Sequence, residues 1–234
     1  LGNLKGVHKI CEDYGDRMER FCTFDSSLSS IVDRAVGSKR FRVRVRTRGG
    51  HSYNNFGNDN AIACLASLVG ELYGIRVPEG GKTTYNVGMI SGGTSVNTIA
   101  QEAEMLYEFR SDRRENLEYM ERQFMKVIDR GKSEGMDVSL EIIGVRPSEG
   151  PVDPKRKQAL SDWAHRVVEE MTGQAPKHCA GSTDCNIPLS LGIPSVCVGS
   201  FRGAGAHTRE EYVETDSLEE GYKVAFGMIF GSRD

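Results

Sequence analysis

Hydrophobic and basic residues alternate along the segment from Lys39 to Thr47, where phenylalanine and valine positions are separated by arginines. A period of two is typical of a β-strand with one buried face and one solvated face. The arginines would then form the solvated face, although a basic face of this kind can also bind nucleic acid. The pattern therefore predicts a strand over 39–47 and leaves both interpretations of its charge open.

The hydrophobic pattern changes period several times between this strand and residue 148. The predicted elements are a helix at about 59–74, strands at about 83–91 and 103–110, a helix at about 115–133 and a strand at 138–145. The order β-α-β-β-α-β is the split βαβ arrangement, a four-stranded sheet with two helices on one face.

The two flanks of this unit alternate between helical and strand patterns. On the amino-terminal side, the predicted elements are a short helix and a strand ending near Asp25. On the carboxyl-terminal side, they are a helix at about 154–172, a short strand, an apolar strand at 195–198 and a final helix from about Ser217. Such alternation is typical of an α/β layer. We therefore predict an α/β fold with an α+β insertion, in which residues 1–37 and 150–234 form one discontinuous domain and 38–149 form the inserted domain.

Composition narrows the class of protein. With 38% hydrophobic and 27% charged residues, the chain has the composition of an ordinary globular protein. The net charge of -3 argues against a general affinity for nucleic acid or anionic membranes. No apolar run approaches the roughly 20 residues that cross a bilayer, and the first residues show no signal-peptide pattern. The chain starts at Leu1 rather than at Met, so we expect that the sequence does not begin where translation begins.

Six cysteines occur without any C-x-x-C pair. Cys11, Cys22, Cys64 and Cys197 have apolar neighbours, as small buried hydrophobic residues do. This usage predicts a reducing compartment, and the cytoplasm in particular.

Three residues could contribute to a metal site or a catalytic site. His207 stands among glycines and alanines, which would let a ligand or an ion approach the imidazole. Asp25 ends a predicted strand, where a carboxylate can bind zinc. His51 follows two glycines that indicate a sharp turn. Each also has a structural interpretation: a surface or core histidine for His207, a turn or helix N-cap for Asp25, and a hydrogen bond to its own turn for His51.

Asn97 and Arg110 could bind a substrate. Asn97 follows the Gly92-Gly93 bend, and Arg110 ends a predicted strand. A guanidinium group with an amide beside it is suited to binding a carboxylate in bidentate fashion. Arg110 could equally form a salt bridge with Glu108 or Asp112.

Short motifs occur in a fixed order along nearly the whole chain. They are Gly49-Gly50-His51-Ser52, Asn60-Ala61-Ile62, the segment 86–99 (NVGMISGGTSVNTI), Phe109-Arg110-Ser111, Gly181-Ser182-Thr183-Asp184, Leu191-Gly192-Ile193-Pro194, and Gly205-Ala206-His207-Thr208 with Glu211. In order and spacing, the set resembles the two-zinc metallopeptidase family of peptidase T, carboxypeptidase G, aminoacylase and acetylornithine deacetylase. One tetrapeptide would be weak support, whereas the ordered set is specific.

The resemblance implies a role for each unit and each candidate residue. The inserted domain would be the lid and dimerisation domain, and the flanks would be part of a zinc-peptidase catalytic domain. Asp25 and His207 would each bind one of two zinc ions, which cobalt or manganese could replace. His51 would stabilise the oxyanion in the active site of the partner protomer, while Asn97 and Arg110 would bind the carboxylate of a short peptide or N-acyl amino acid. The expected protein is a homodimer that binds neither nucleic acid nor membrane.

The sequence departs from the family pattern in its metal ligands. The family's His-x-Asp motif, bridging Asp and adjacent Glu-Glu pair would all match positions before Leu1, and His8-Lys9-Ile10 is not a His-x-Asp motif. One protein ligand for each ion is fewer than the three of a usual catalytic zinc site. We therefore expect a fragment of an amide hydrolase that is inactive by itself.

Two other interpretations stay open. The chain could be a non-catalytic dimerisation or binding module that has lost its metal-binding half. It could also be a cysteine hydrolase that uses Cys179 or Cys185 with His178 or His207, which requires an activated thiolate and an orienting group. No nucleophile-elbow motif supports the latter.

Overall fold

The computed structural model describes residues 3–206 and 208–231. Its helices are α1 (Lys5–Tyr14), α2 (Ala61–Tyr73), α3 (Arg114–Ser133), α4 (Pro154–Thr172), α5 (Asn186–Ser190) and α6 (Ser217–Phe230). Its strands are β1 (Phe21–Ser27), β2 (Ser30–Ala35), β3 (Gly37–Arg46), β4 (Gly50–His51), β5 (Thr83–Gly92), β6 (Thr98–Ile99), β7 (Glu102–Ser111), β8 (Asp137–Arg146), β9 (Lys177–Gly181), β10 (Ser195–Ala204) and β11 (Tyr212–Glu214). Among these described residues, no helix has the length and hydrophobicity needed to span a bilayer.

The chain divides into two units. Residues 1–37 and 146–234 form one unit, and residues 38–145 form the other. The fold class predicted from the sequence, an α/β fold with an inserted βαββαβ unit, is confirmed. The assignment of the two units as catalytic and lid domains stays a prediction.

The inserted unit consists of a four-stranded sheet and two helices. Its strand order is β5-β7-β3-β8, as expected for the split βαβ arrangement. Helix α2 begins at Ala61 because the Asn60 side chain accepts hydrogen bonds from the backbone amides of Ile62 and Ala63, at 2.9 and 3.4 Å. The core of the unit contains buried apolar side chains from both helices and from the two central strands, among them Phe41, Leu65, Leu68, Tyr107, Met120 and Phe124.

Strand β3 confirms the alternation found in the sequence. Phe41, Val43 and Val45 are 1% exposed or less. The opposite face carries arginines that pair with glutamates of the neighbouring strands: Arg40–Glu108 (3.0 Å), Arg42–Glu141 (2.7 Å), Arg44–Glu104 (2.7 Å) and Arg46–Glu102 (2.9 Å). The structural interpretation of the basic face is therefore favoured, because glutamates of the same sheet balance its charge.

A five-stranded sheet forms the centre of the other unit. Its order is β1-β10-β2-β9, with β11 paired to β10. Strand β1 is parallel to β10 and β2 is parallel to β9, whereas β10 and β2 are antiparallel. Sequence analysis missed β2, because the turn that separates it from β1 consists of Leu28 and Ser29 and contains none of the glycines or prolines that usually mark a turn. It also missed the short elements α5 and β11.

Helices α4 and α6 pack together with this sheet. Trp163 and Val167 of α4, Val224 of α6, and Val196 and Val198 of β10 belong to one buried cluster. Helix α6 approaches β10 so closely that a Cβ atom at Gly221 would overlap the carbonyl oxygen of Ser200.

Candidate active site

Asp25 lies near the carboxyl end of β1, where the strand is irregular. Thr23 pairs with Cys197 and Ser26 pairs with Gly199, so β1 holds one residue more than β10 between these two pairs. This bulge contains Asp25, which is exposed. An exposed carboxylate at the carboxyl end of parallel strands occupies the region where α/β proteins commonly bind ligands.

A second carboxylate, Asp184, lies toward the opposite edge of the sheet from Asp25, because β9 is antiparallel to β1. The charges of Asp25 and Asp184 both affect the buried thiol of Cys197. Burial raises the pKa of this thiol to about 11, and the two carboxylate charges also raise it. A hydrogen bond from the Asp25 backbone lowers it. Asp184 is exposed and follows β9. Asp184 belongs to the motif Gly181-Ser182-Thr183-Asp184, but the sequence pattern did not indicate it as a site residue.

The other predicted metal ligand, His207, lies outside the described residues. Next to it, the carbonyl oxygen of Gly205 accepts hydrogen bonds from the backbone N–H and the hydroxyl of Thr208, at 2.9 and 2.7 Å. Gly205 has a φ of +74°, a conformation that favours glycine. Because β1 and β10 are parallel, Asp25 and Gly205 both lie toward the carboxyl edge of the sheet. The convergence of Asp25 and His207 on one metal centre stays a prediction.

The donor atoms that are described do not form a zinc site. Within residues 3–206 and 208–231, no group of three or more His, Cys, Asp or Glu side chains could hold a metal ion. Protein zinc sites use three or four protein ligands, and Asp25 is the one predicted ligand for which a position is described. The described residues therefore do not complete a zinc site by themselves, and the ion stays a prediction.

His51 and Asn97 lie together at one corner of the inserted unit. Strands β4 and β6 pair there, and the backbone N–H of Ser52 donates to the carbonyl oxygen of Asn97 at 3.0 Å. His51 Nδ1 accepts hydrogen bonds from the backbone N–H groups of Tyr53 and Asn54, at 3.2 and 3.5 Å. The structural interpretation of His51, a hydrogen bond to its own turn, is thus confirmed. An accepting Nδ1 places the ring proton on Nε2, so Nε2–H of this exposed residue is a donor.

Arg110 lies in the four-stranded sheet, near the end of β7 that is opposite to the loop containing Asn97. The loop that contains Asn97 joins the end of β5 to the start of β7, and roughly 20 Å of strand separates Ala103 from Arg110. Arg110 Nε and Nη2 donate to the two carboxylate oxygens of Glu108, at 2.9 and 3.1 Å. The salt bridge considered as the alternative role of Arg110 is therefore present. A single protomer does not bring Arg110 to His51 and Asn97.

A hydrogen-bonded cluster that sequence analysis missed links β2, β9 and α4. Asp33 Oδ2 lies 2.6 Å from His178 Nδ1 and accepts a hydrogen bond from the Ser161 hydroxyl at 2.8 Å. His178 Nε2 lies 2.9 Å from His165 Nδ1, with 7° between the ring planes. Asp33 and His178 are 145 positions apart, so no local pattern indicates their contact.

The thiols named in the cysteine hydrolase interpretation are not activated. Burial raises the pKa of both Cys179 and Cys185. Cys179 Sγ donates to the carbonyl oxygen of Ile31 at 3.5 Å, while His178, its neighbour on β9, is bound to Asp33. A catalytic cysteine needs a lowered pKa and a base beside it, so the structure gives this interpretation no support.

Comparison with known proteins identifies the inserted unit. Residues 35–136 match the family described as the peptidase dimerisation domain. A homolog of a p-aminobenzoyl-glutamate hydrolase chain, from Haemophilus influenzae, is 24% identical over 227 residues, which cover 89% of this chain and 51% of that protein.

Solved structures with the same fold cover nearly the whole chain. Aminopeptidase PepT from Bacillus cereus matches with a TM-score of 0.76 and 21% identity, over 97% of this chain and 61% of its own. The aminobenzoyl-glutamate utilization protein from Klebsiella pneumoniae matches with a TM-score of 0.68 and 16% identity, over 94% of this chain and 56% of its own. The chain thus spans between 51% and 61% of the length of these three relatives.

Proposed function

We propose that this chain, a relative of the two-zinc metallopeptidases in its fold and its dimerisation domain, is one part of a metal-dependent hydrolase. Its substrates would be the amide bonds of short peptides or N-acyl amino acids, the classes that an aminopeptidase and an aminobenzoyl-glutamate hydrolase represent. The observation that carries this proposal is the exposed carboxylate of Asp25 at the carboxyl end of β1, in a chain that shares its fold with an aminopeptidase.

Asp25 and His207 are the residues that we propose as metal ligands, one for each of two ions. Carboxylate and imidazole ligands suit zinc, and cobalt or manganese could take its place. The remaining ligands would come from polypeptide outside the described residues, because no three-ligand group exists within them. The relatives have such additional polypeptide, since the chain spans 51% to 61% of their length.

By itself, the chain should not hydrolyse amides. The test incubates the purified chain with zinc and with dipeptides, N-acetyl amino acids and p-aminobenzoyl-glutamate, and measures released amine and zinc retained after dialysis. We expect no turnover and less than one retained zinc ion per chain, because one ligand holds zinc weakly. Turnover by the isolated chain would refute this part of the proposal.

His51 and Asn97 would act in the active site of a second protomer. The exposed Nε2–H of His51 is a donor of the kind that stabilises a developing oxyanion. Arg110 lies roughly 20 Å away along the sheet. A site that uses all three residues therefore needs two protomers, with His51 and Asn97 from one and Arg110 from the other.

Mixing two inactive variants of the assembled hydrolase tests this division. His51→Ala and Arg110→Ala should each lower kcat/KM roughly 100-fold. In a mixed dimer, one site would have both native side chains and the other would have neither, so randomly mixed protomers should recover about a quarter of wild-type activity. Ser52→Ala is the matched control and should leave activity unchanged. An absence of recovery would show that one protomer supplies both residues.

We propose that a second copy of the chain binds at the edge strand β5. This strand forms one edge of the four-stranded sheet and exposes Met89 (65%) and Ile90 (58%). An unpaired edge presents backbone hydrogen-bonding groups, and two such edges can pair into a continuous sheet. The match of residues 35–136 to a dimerisation domain supports a second copy of this chain as the partner.

A dimerisation module without catalysis is the second candidate. Two observations favour it: the sheet of the inserted unit is complete, and the described part of the chain contains no group of three metal ligands. The coding sequence upstream of Leu1 discriminates between the two: a His-x-Asp motif and a Glu-Glu pair there would favour the hydrolase. For either function we propose a cytoplasmic location, supported by six free thiols.

A further inference from the structure

A small pocket lies beside the amino-terminal ends of β1 and β10. Arg20, which directly precedes β1, and Pro194, which directly precedes β10, line it together with Arg156 and Trp163 of α4. Its volume is about 350 Å³, at the lower end of the range for small-molecule sites. Asp25 lies farther along β1, on the order of 15 Å away, so this pocket is separate from the candidate active site.

The guanidinium group of Arg20 is held in place but incompletely bonded. Its central carbon lies 4.6 Å from the centroid of the Trp163 ring, a cation–π arrangement. Its Nη1 atom is buried and has no hydrogen-bond partner within the described residues. Arginine stays charged, and a buried, charged donor without a partner is costly. Because this atom is shielded from solvent, an acceptor in the pocket would reach it after a shift of the Arg20 side chain and would then remove this cost.

A second guanidinium group faces the same pocket. Arg156 Nη2 donates to the carbonyl oxygen of Glu19 at 2.7 Å, and the backbone N–H of Arg156 donates to Asp153 Oδ1 at 2.8 Å. These bonds fix the residue at the first turn of α4 and use one of its side-chain donors. Glu19 is the acidic residue among those that line the pocket, so two arginines and one glutamate give it a net positive charge.

We propose that this pocket binds a small oxyanion, a phosphate or carboxylate group, through Arg20 and Arg156, with the Trp163 ring beside it. The planar fork of a guanidinium group matches the oxygen spacing of both anions. An apolar ligand would leave Arg20 Nη1 without an acceptor, and the two arginines would repel a cation. The oxyanion is therefore the ligand that satisfies the charge and the unpaired donor together.

The only tryptophan of the chain reports directly on this pocket. Emission of Trp163 is recorded while inorganic phosphate or acetate is added, with sodium chloride keeping the ionic strength constant. We expect a saturable change with a dissociation constant in the millimolar range or below. The tighter of the two anions assigns the site to a phosphoryl or a carboxylate ligand. An equal response to sodium chloride alone, or a response that does not saturate, would overturn the proposal.

Substitution separates binding at the pocket from general charge effects. Arg20→Gln should weaken binding about tenfold, the loss expected when a charge-assisted hydrogen bond is removed. Arg17→Gln makes the same change of charge three positions away, where Arg17 stacks on Tyr14 at 5.2 Å, and should bind as tightly as the wild type. Arg156→Gln is a second variant in case Arg20→Gln does not fold, as judged by circular dichroism. Wild-type affinity in a folded Arg20→Gln or Arg156→Gln variant would contradict the assignment.

Discussion

Arg110 and Glu108 form a two-pronged ion pair on the exposed face of β7, with N–O distances of 2.9 and 3.1 Å. Glu108 also accepts a hydrogen bond from Arg40 at 3.0 Å. This pair uses Nε and Nη2 of Arg110, so a substrate carboxylate would bind at the Nη1 side of the guanidinium group or displace Glu108. Burial raises the pKa of Glu108, but the hydrogen bonds and charges of Arg110 and Arg40 outweigh this effect, and the net shift is downward.

The lowered pKa of Glu108 predicts a pH dependence of stability. Such a carboxyl group stabilises the fold above its unfolded pKa of 4.5, and this contribution is lost as the pH falls through the lower folded pKa. Glu108→Gln should therefore unfold at lower urea concentration than the wild type at pH 7, and the difference should shrink near pH 3. Glu118→Gln, which removes an exposed pair with Arg114 on α3, is the control. A difference that is the same at both pH values would contradict the prediction.

Gly221→Ala should destabilise the unit that contains α6 by about 3 kcal/mol, because the new methyl group would overlap the carbonyl oxygen of Ser200. Urea unfolding followed by Trp163 emission measures this effect, since Trp163 packs in the same cluster as α6. Gly70→Ala in α2 is the matched control, because its Cβ would meet no atom within 4 Å. It should stabilise the inserted unit by about 0.5–1 kcal/mol through helix propensity, measured by circular dichroism because Trp163 lies in the other unit. Equal effects of the two substitutions would show that α6 can move away from β10.

Asp33→Ala should reduce stability by about 1–3 kcal/mol, because the buried Ser161 hydroxyl loses its acceptor and His178 loses its partner. Unfolding followed by Trp163 emission measures the change. Asp162→Ala is the control. Asp162 directly follows Ser161 on α4, and its substitution removes only an exposed contact with Gln158. The stability of this variant should stay within about 0.5 kcal/mol of the wild type. If Asp33→Ala is as stable as the wild type, the cluster does not contribute to the fold.

Met89→Lys should weaken the proposed dimer, because a lysine on an edge strand opposes pairing with a second edge. Sedimentation at micromolar concentration should show a shift toward monomer. Ile142→Lys is the control: Ile142 is 53% exposed on β8, the opposite edge of the same sheet. A shift toward monomer with Ile142→Lys but not with Met89→Lys would place the dimer contact on β8.

Local patterns in the sequence determined the inserted unit. The alternation along β3 indicated which face is buried, and Phe41 and Val43 confirm it. Helical spacing predicted a helix at about 59–74, and in the structure the Asn60 side chain caps its start, an interaction within three residues of its own position. The order of the motifs indicated a resemblance to the two-zinc metallopeptidases, and aminopeptidase PepT shares the fold of this chain. These signals succeed because periodicity and capping depend on neighbours in the chain.

Only the tertiary structure decided which side chains meet. The sequence left open whether Arg110 binds Glu108 or stays available for a ligand, and the register of β7 places the two on one face. Asp33 meets His178, and Arg20 stacks on Trp163, because strands far apart in sequence lie beside the same helix. A bulge in β1 contains Asp25, and only pairing with β10 reveals it. Contacts of this kind depend on strand order and register, which no local sequence pattern encodes.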